Sequence, residues 1–338
     1  MRVAILAPIA WRTPPVRYGP WELVASNITE MLVERGIDVT LFATGDSITK
    51  ATLSSCVDHH YAEDPSVDVK VNECLHISHL FERAGEFDII HNHYDFLPLT
   101  YSRLVRTPMV TTIHGFSSPL ILPVYQKYNA GNHYVSISNA NRHPSLKYTA
   151  TVYNGINTGE FTFSEKSHDY FLFLGRIHPE KGTHEAIELA RRCGRKLIIA
   201  GLIQDTEYYN TQVLPFIDND TVVYAGNCDA LQRDLLLGGA LALIHLVSFD
   251  EPFGLSVVEA MCCGTPVIAS NRGAMPELII PGKTGFLVKT MEEAEQAAAQ
   301  LHHIKRLECR HWALTRFSRE RMADEYLKVY HQVLSSGS

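Results

Sequence analysis

No run of about 18 or more apolar residues occurs in the 338-residue sequence, so nothing in it is long enough to span a bilayer as a helix. Basic charge is also short. Thirty Lys and Arg face 37 Asp and Glu, a net charge of −7, which leaves no cationic excess to displace counterions from nucleic acid or hold an anionic lipid surface. The seven cysteines lack paired spacing, and two are adjacent at Cys262-Cys263, a pattern that suits a reducing compartment better than a disulfide framework. A cytoplasmic location is therefore expected, and the opening MRVAILAPIA is too short an apolar run for a secretory signal. Missing too is the Gly-x-Gly-x-x-Gly dinucleotide fingerprint. Lys181-Gly182-Thr183 lacks the preceding glycines of a P-loop, so neither a nicotinamide cofactor nor a P-loop nucleotide site is expected. Low-complexity segments and fixed-period repeats are absent.

What is present is a 46 % hydrophobic chain, long enough for two cores. Apolar runs at residues 2–7, 39–43, 87–90, 108–113 and 134–138 alternate with helical patterns, and a second series starts at 170–174, 196–200, 222–225 and 240–247. Two parallel α/β sheets are the expected architecture. In such sheets function gathers in the loops at the carboxyl ends of the strands. His114 follows one such run, and Arg176 and Lys181 lie on the loop after another, where paired cations suit an anion. His91 and His93 point to one side of a strand end and read as a polar lip of a crevice or as part of a metal site. With no Cys, Asp or Glu partner at ligand spacing, no metal is assigned.

The most informative stretch is residues 245–288. Glu251 stands in the loop after an apolar run, and Leu255, Val258, Ala260 and Met261 mark a short helix that carries Glu259 and stops at Gly264, before a buried strand at 267–269. Gly254 and Leu255 then open a helix at a strand's carboxyl end, where unpaired N–H groups and the helix dipole favour a phosphate. Two carboxylates at different depths suit the hydroxyls of a sugar nucleotide.

The run Glu251-Pro252-Phe253-Gly254-Leu255, with Val258-Glu259-Ala260-Met261, residues 263–269 and Pro276-Glu277-Leu278-Ile279, resembles the donor-site signature of the retaining glycosyltransferases of family 4. The resemblance implies the GT-B fold: two Rossmann-like domains facing each other across a cleft, with a final helix crossing back to the first. The domains would be residues 1–157, joined by a helix at about 319–334, and residues 158–318. It implies a nucleotide-sugar donor, a UDP-sugar ahead of a GDP-sugar, a small or soluble carbohydrate hydroxyl as acceptor, and neither cofactor nor metal. Arg176, Lys181, Gly254 and Leu255 would hold the diphosphate, Glu259 the ribose, and Glu251 and His114 the transferred sugar. Gly19 matches the first glycine of the family's donor-facing loop, with Glu22 close behind. Pro20 stands in place of the second glycine and withholds one N–H, and Ala274 replaces the commoner glycine after Gly273. Those two departures keep a catalytically silent sugar-nucleotide-binding protein as an alternative. An epimerase or a phosphorolytic enzyme of the same fold is a third.

Overall fold

A computed structural model describes residues 1–116 and 118–336. The chain forms two units, Met1–Gly155 with Arg319–Ser338, and Ile156–Ser318. The first holds a sheet of β1 (Arg2–Leu6), β2 (Asp38–Phe42), β3 (Thr52–Ser54), β4 (Ile89–Asn92), β5 (Met109–Ile113), β6 (His133–Ser136) and β7 (Tyr148–Thr151), in the order β3-β2-β1-β4-β5-β6-β7. The second is built from β8 (Tyr170–Leu174), β9 (Lys196–Ala200), β10 (Val222–Tyr224), β11 (Ala242–His245), β12 (Val267–Ser270) and β13 (Gly285–Val288), in the order β10-β9-β8-β11-β12-β13. All of these pairings are parallel.

A parallel sheet needs crossover helices, which cover both faces, and this is why the central strands read as unbroken apolar runs. Val3, Ala4, Ile5 and Leu6 of β1 are fully buried, as are Ala242 and Leu243 of β11. Each sheet reverses its strand order once, between β1 and β4 in the first unit and between β8 and β11 in the second. Ligands of such sheets sit outside the carboxyl ends at that reversal. Gly175 to Lys181 follow β8, and the Glu251 loop follows β11, so the second unit brings both to its reversal point.

The long helix Arg319–Ser336 belongs to the first unit and packs on helix Pro20–Glu34, where Arg35 and Asp324 pair at 2.8 Å. Its Met322, Tyr326, Val329, Tyr330 and Val333 form one buried stripe. Apolar periodicity alone reads that stripe as packing; two of its members also carry buried hydroxyls with polar partners. Elements that the sequence pattern does not reveal include β3, which falls in a polar stretch, β13, and helices Leu122–Tyr128, Met275–Leu278 and Arg306–Arg316. None of the helices among the described residues is long and apolar enough to cross a membrane.

Candidate functional site

In the second unit, helix Leu255–Cys262 starts at Gly254, whose φ of 100° and ψ of 68° place it in left-handed space. A Cβ added there would lie 2.8 Å from the Met275 methyl, so the position needs glycine for both conformation and room. The helix has no side-chain cap; Val257 N–H turns back to the Gly254 carbonyl at 3.1 Å, and the backbone N–H groups ahead of it open the helix in the place that favours an anion.

Glu251 sits beside this helix start and accepts a hydrogen bond from Lys181 Nζ at 2.6 Å. The two side chains are only 13 % and 14 % exposed. Lys181 also lies over the Phe249 ring, 4.5 Å from its centroid. Arg176 donates to Glu180 Oε1 at 3.0 Å and to Gln204 Oε1. The loop after β8 therefore differs from the pair of bare cations that its sequence suggests. Each cation has its own carboxylate, because two positive charges a few residues apart on a half-buried loop repel unless neutralised.

His245 ends β11 and was not singled out by sequence. Its Nε2 lies 3.7 Å from the Glu251 carboxylate and has no hydrogen-bond partner. Burial pushes its imidazole down to about 4; the Glu251 charge opposes this and the Lys181 charge adds to it. Glu259 is buried inside its helix and faces Arg233 at 3.5 Å. Burial raises its carboxyl above the usual range against the pull of Arg233, with Glu160 adding to the rise. Arg233 has no sequence signal as a partner, since it lies on helix Ala230–Gly239, remote in sequence from Glu259.

The first unit holds Gly19 and His114. Gly19 precedes helix Pro20–Glu34 with φ 148° and ψ 70°, and a Cβ on it would lie 2.8 Å from that of Pro15. Pro20 occupies the first helical turn, where its missing N–H costs the helix nothing. Glu22 is 3 % exposed and accepts from the Trp11 N–H at 3.1 Å. Burial lifts its carboxyl to about 7, although backbone N–H groups of Glu22 itself and Trp11 stabilise the charged form. Trp21 stacks on His114 at 5.4 Å between centroids with an interplanar angle of 20°.

His91 and His93 are not a polar lip: both are fully buried, because β1 and β5 flank β4 and the C-terminal helix covers its end. His93 Nδ1 lies 3.0 Å from His114 Nε2, and His91 bonds to Thr112 and Tyr330. Among the described residues no cluster of His, Cys, Asp and Glu has the arrangement of a metal site.

Residues 22–160 match the family model described as Glycosyltransferase Family 4, and residues 160–321 match the one described as glycosyl transferases group 1. The glycogen synthase of Mycobacterium tuberculosis is 25 % identical over 348 residues, covering 86 % of this chain and 84 % of that protein. The GDP-mannose:cellobiosyl-diphosphopolyprenol alpha-mannosyltransferase of Komagataeibacter xylinus is 28 % identical over 295 residues, 75 % of this chain and 74 % of its own. Among solved structures, Anabaena HepE in complex with UDP superposes with a TM-score of 0.74 at 20 % identity, over 98 % of this chain and 100 % of that one. Two Rossmann-like parallel-sheet domains with these neighbours define a GT-B glycosyltransferase. The chain belongs to glycosyltransferase family 4.

Proposed function

We propose that this glycosyltransferase is retaining and moves a hexose from a nucleotide sugar to a hydroxyl of a small or soluble carbohydrate-like acceptor, without a metal ion. The observation that carries the reading is the Lys181–Glu251 pair at 2.6 Å beside the uncapped helix start at Gly254. Transfer requires negative charge to grow on the diphosphate as the anomeric C–O bond breaks. Arg176, Lys181 and the N–H groups at Gly254 and Leu255 are the proposed stabilisers, held in place before the reaction by their carboxylate partners. These fixed positive groups take the part a metal ion would otherwise fill. The new bond forms between the anomeric carbon and the acceptor oxygen, and the acceptor proton passes to an oxygen of the departing diphosphate, so atoms and charge balance.

In this reading Glu251 orients donor-sugar hydroxyls, while Lys181 shares itself between that carboxylate and the phosphate. Glu259 and Arg233 hold the ribose, Gly19 lets the first-unit loop come close to a diphosphate, and His114 hydrogen-bonds the transferred sugar. A UDP-sugar is the favoured donor, in keeping with the UDP held by the Anabaena neighbour. A GDP-sugar is the alternative, as the Komagataeibacter relative's name specifies for that enzyme.

The test is a thermal-shift panel of UDP, GDP, ADP and their hexosyl derivatives, with and without divalent metal, followed by acceptor screening with whichever donor binds. Stabilisation by one nucleotide class independent of metal, then transfer with retained anomeric configuration, is the expected result. Nucleotide binding without turnover in any acceptor mixture would replace the proposal with a silent binding protein.

A further inference from the structure

The first unit contains a chain of buried polar contacts that the donor site does not need. It runs from the C-terminal helix to His114. Tyr326 Oη lies 2.6 Å from Thr112 Oγ1, which lies 2.7 Å from His91 Nε2. His91 Nδ1 is 2.6 Å from Tyr330 Oη and 3.3 Å from His93 Nε2, and His93 Nδ1 is 3.0 Å from His114 Nε2. Thr112, His91, His93, Tyr326 and Tyr330 are fully buried, and His114 is 6 % exposed. Polar groups at this depth are retained only when their hydrogens are placed consistently.

Burial holds all three imidazoles neutral, pushing His91 and His93 well down and His114 to about 3. A neutral imidazole has one donor and one acceptor nitrogen. With one hydrogen placed at each ring–ring contact, fixing the hydrogen on any one ring fixes it on all three, His91 Nδ1 being shared between Tyr330 at 2.6 Å and His93 Nε2 at the longer 3.3 Å. If His91 Nδ1 accepts, His93 donates from Nε2 and accepts at Nδ1, and His114 must donate from Nε2. The reverse choice at His91 reverses every ring.

Either polarity strands one tyrosine hydrogen, that of Tyr326 or that of Tyr330, and the contacts at His91 decide which. Both contacts are short, 2.6 Å to Tyr330 and 2.7 Å to Thr112, so each is a close hydrogen bond and the strength of the donor chooses between the two senses. A phenol is a far stronger acid than an aliphatic alcohol, so it is the better donor to an imidazole nitrogen. Tyr330 donates to His91 Nδ1, His91 Nε2–H donates to Thr112, and the Thr112 hydroxyl passes its hydrogen to Tyr326.

We propose that Tyr330, acting through His91 and His93, fixes His114 as its Nε2–H tautomer, so that His114 offers an unprotonated Nδ1 to a hydroxyl of the transferred sugar. His91, His93 and Tyr330 are positioning residues. The consequence for chemistry rests on the reading of His114 as the sugar contact. Glycosyl transfer passes through a transition state with positive charge on the sugar. A lone pair facing that sugar stabilises the charge, while an N–H in the same place opposes it.

The test uses the full chain labelled with ¹⁵N-histidine, with imidazole tautomers read from long-range ¹H–¹⁵N spectra and peaks assigned by single histidine substitutions. The wild-type protein is expected to show His91, His93 and His114 all as Nε2–H. Tyr330→Phe removes the deciding donor and lets Tyr326 donate to Thr112, so all three rings should switch to Nδ1–H. Tyr326→Phe deletes a hydroxyl from the same helix and should leave the tautomers as they are. In turnover, Tyr330→Phe should lower kcat about tenfold, the scale of one misdirected hydrogen bond, with the donor KM within about twofold and Tyr326→Phe close to wild type. A wild-type His114 carrying its hydrogen on Nδ1, or a switch caused by Tyr326→Phe and not by Tyr330→Phe, overturns the proposal. His114→Ala separates the two layers: unchanged turnover would sink the sugar-contact reading, while the spectra still decide whether the relay sets the tautomer.

Discussion

Replacing Lys181 by methionine keeps most of the length and apolar stem of the side chain and deletes the ammonium group. Glu251 would then be left largely buried beside the His245 ring at 3.7 Å. Exposed ion pairs contribute about 0–1 kcal/mol, and breaking a buried one costs about 3–5 kcal/mol. With the side chains of this pair 14 % and 13 % exposed, the expected loss lies near the buried limit, about 3 kcal/mol at pH 8. The loss should shrink on acidification. In the wild type His245 is held at about 4, against an ordinary value of 6.5, so folding loses stability as pH falls from 6.5 towards 4 and the unfolded chain takes up the proton first. Removing Lys181 deletes a charge that pushes His245 down and leaves the opposing pull of Glu251 in place. The variant's His245 therefore protonates at a higher pH, and the variant loses less than the wild type over the same window. Thermal denaturation at pH 8 and pH 5 reads both effects. The double variant Lys181→Met/Glu251→Gln strands no charge and should recover most of the loss, giving a coupling of about 2–3 kcal/mol. Donor turnover by Lys181→Met should fall about a hundredfold or more. A destabilisation below about 0.5 kcal/mol at pH 8, the same at pH 5, would show that the pair is not an energetic unit and refute the reasoning.

Three further perturbations test other parts of the two units. Glu22 keeps its proton to about pH 7 when folded and to about 4.5 when unfolded, so stability should fall as pH rises across that interval, by about 3 kcal/mol in all; Glu22→Gln should flatten this part of a stability–pH profile. Arg233→Met strands the Glu259 carboxylate and should cost about 3 kcal/mol in denaturant unfolding, whereas Glu259→Gln strands the Arg233 charge, which at 17 % exposure is better solvated than the 5 % exposed carboxylate, and should cost less while abolishing the thermal shift given by nucleotide. Gly254→Ala forces a Cβ to within 2.8 Å of Met275 at a φ of 100°, so a loss of about 1–3 kcal/mol together with weakened nucleotide stabilisation is expected from the same thermal-shift assay.

The parts of the site that sequence reveals are those made by neighbours along the chain. Gly254, Leu255 and Glu259 share one loop–helix segment, and the apolar run before Glu251 announces the strand that places it, so spacing alone specifies their arrangement. The Arg176 loop is legible for the same reason, following β8 directly. What those side chains touch is not local. Lys181 meets Glu251 70 residues away, and Arg233 comes from another helix, so a reading by position sees two cations and two carboxylates where the fold makes paired charges. β3 escaped because three residues on a sheet edge, one of them exposed, carry too little apolar pattern to register.

His91 and Tyr330 show the limit most sharply, being 239 residues apart in sequence and 2.6 Å apart in the fold. Two histidines on one side of a strand look like a lip or a metal site because their partners cannot be seen. Tyr326 and Tyr330, four residues apart in a helix, look like ordinary members of an apolar stripe because periodicity records where a residue faces and not what its hydroxyl meets. Each motif is ambiguous alone. Only when the C-terminal helix lies over the end of β4 does His91 acquire its tyrosine partner, and neutral imidazoles whose hydrogens must be placed together become more informative than any one of them. The chemistry of His114 is thus written partly in a helix more than 200 residues downstream.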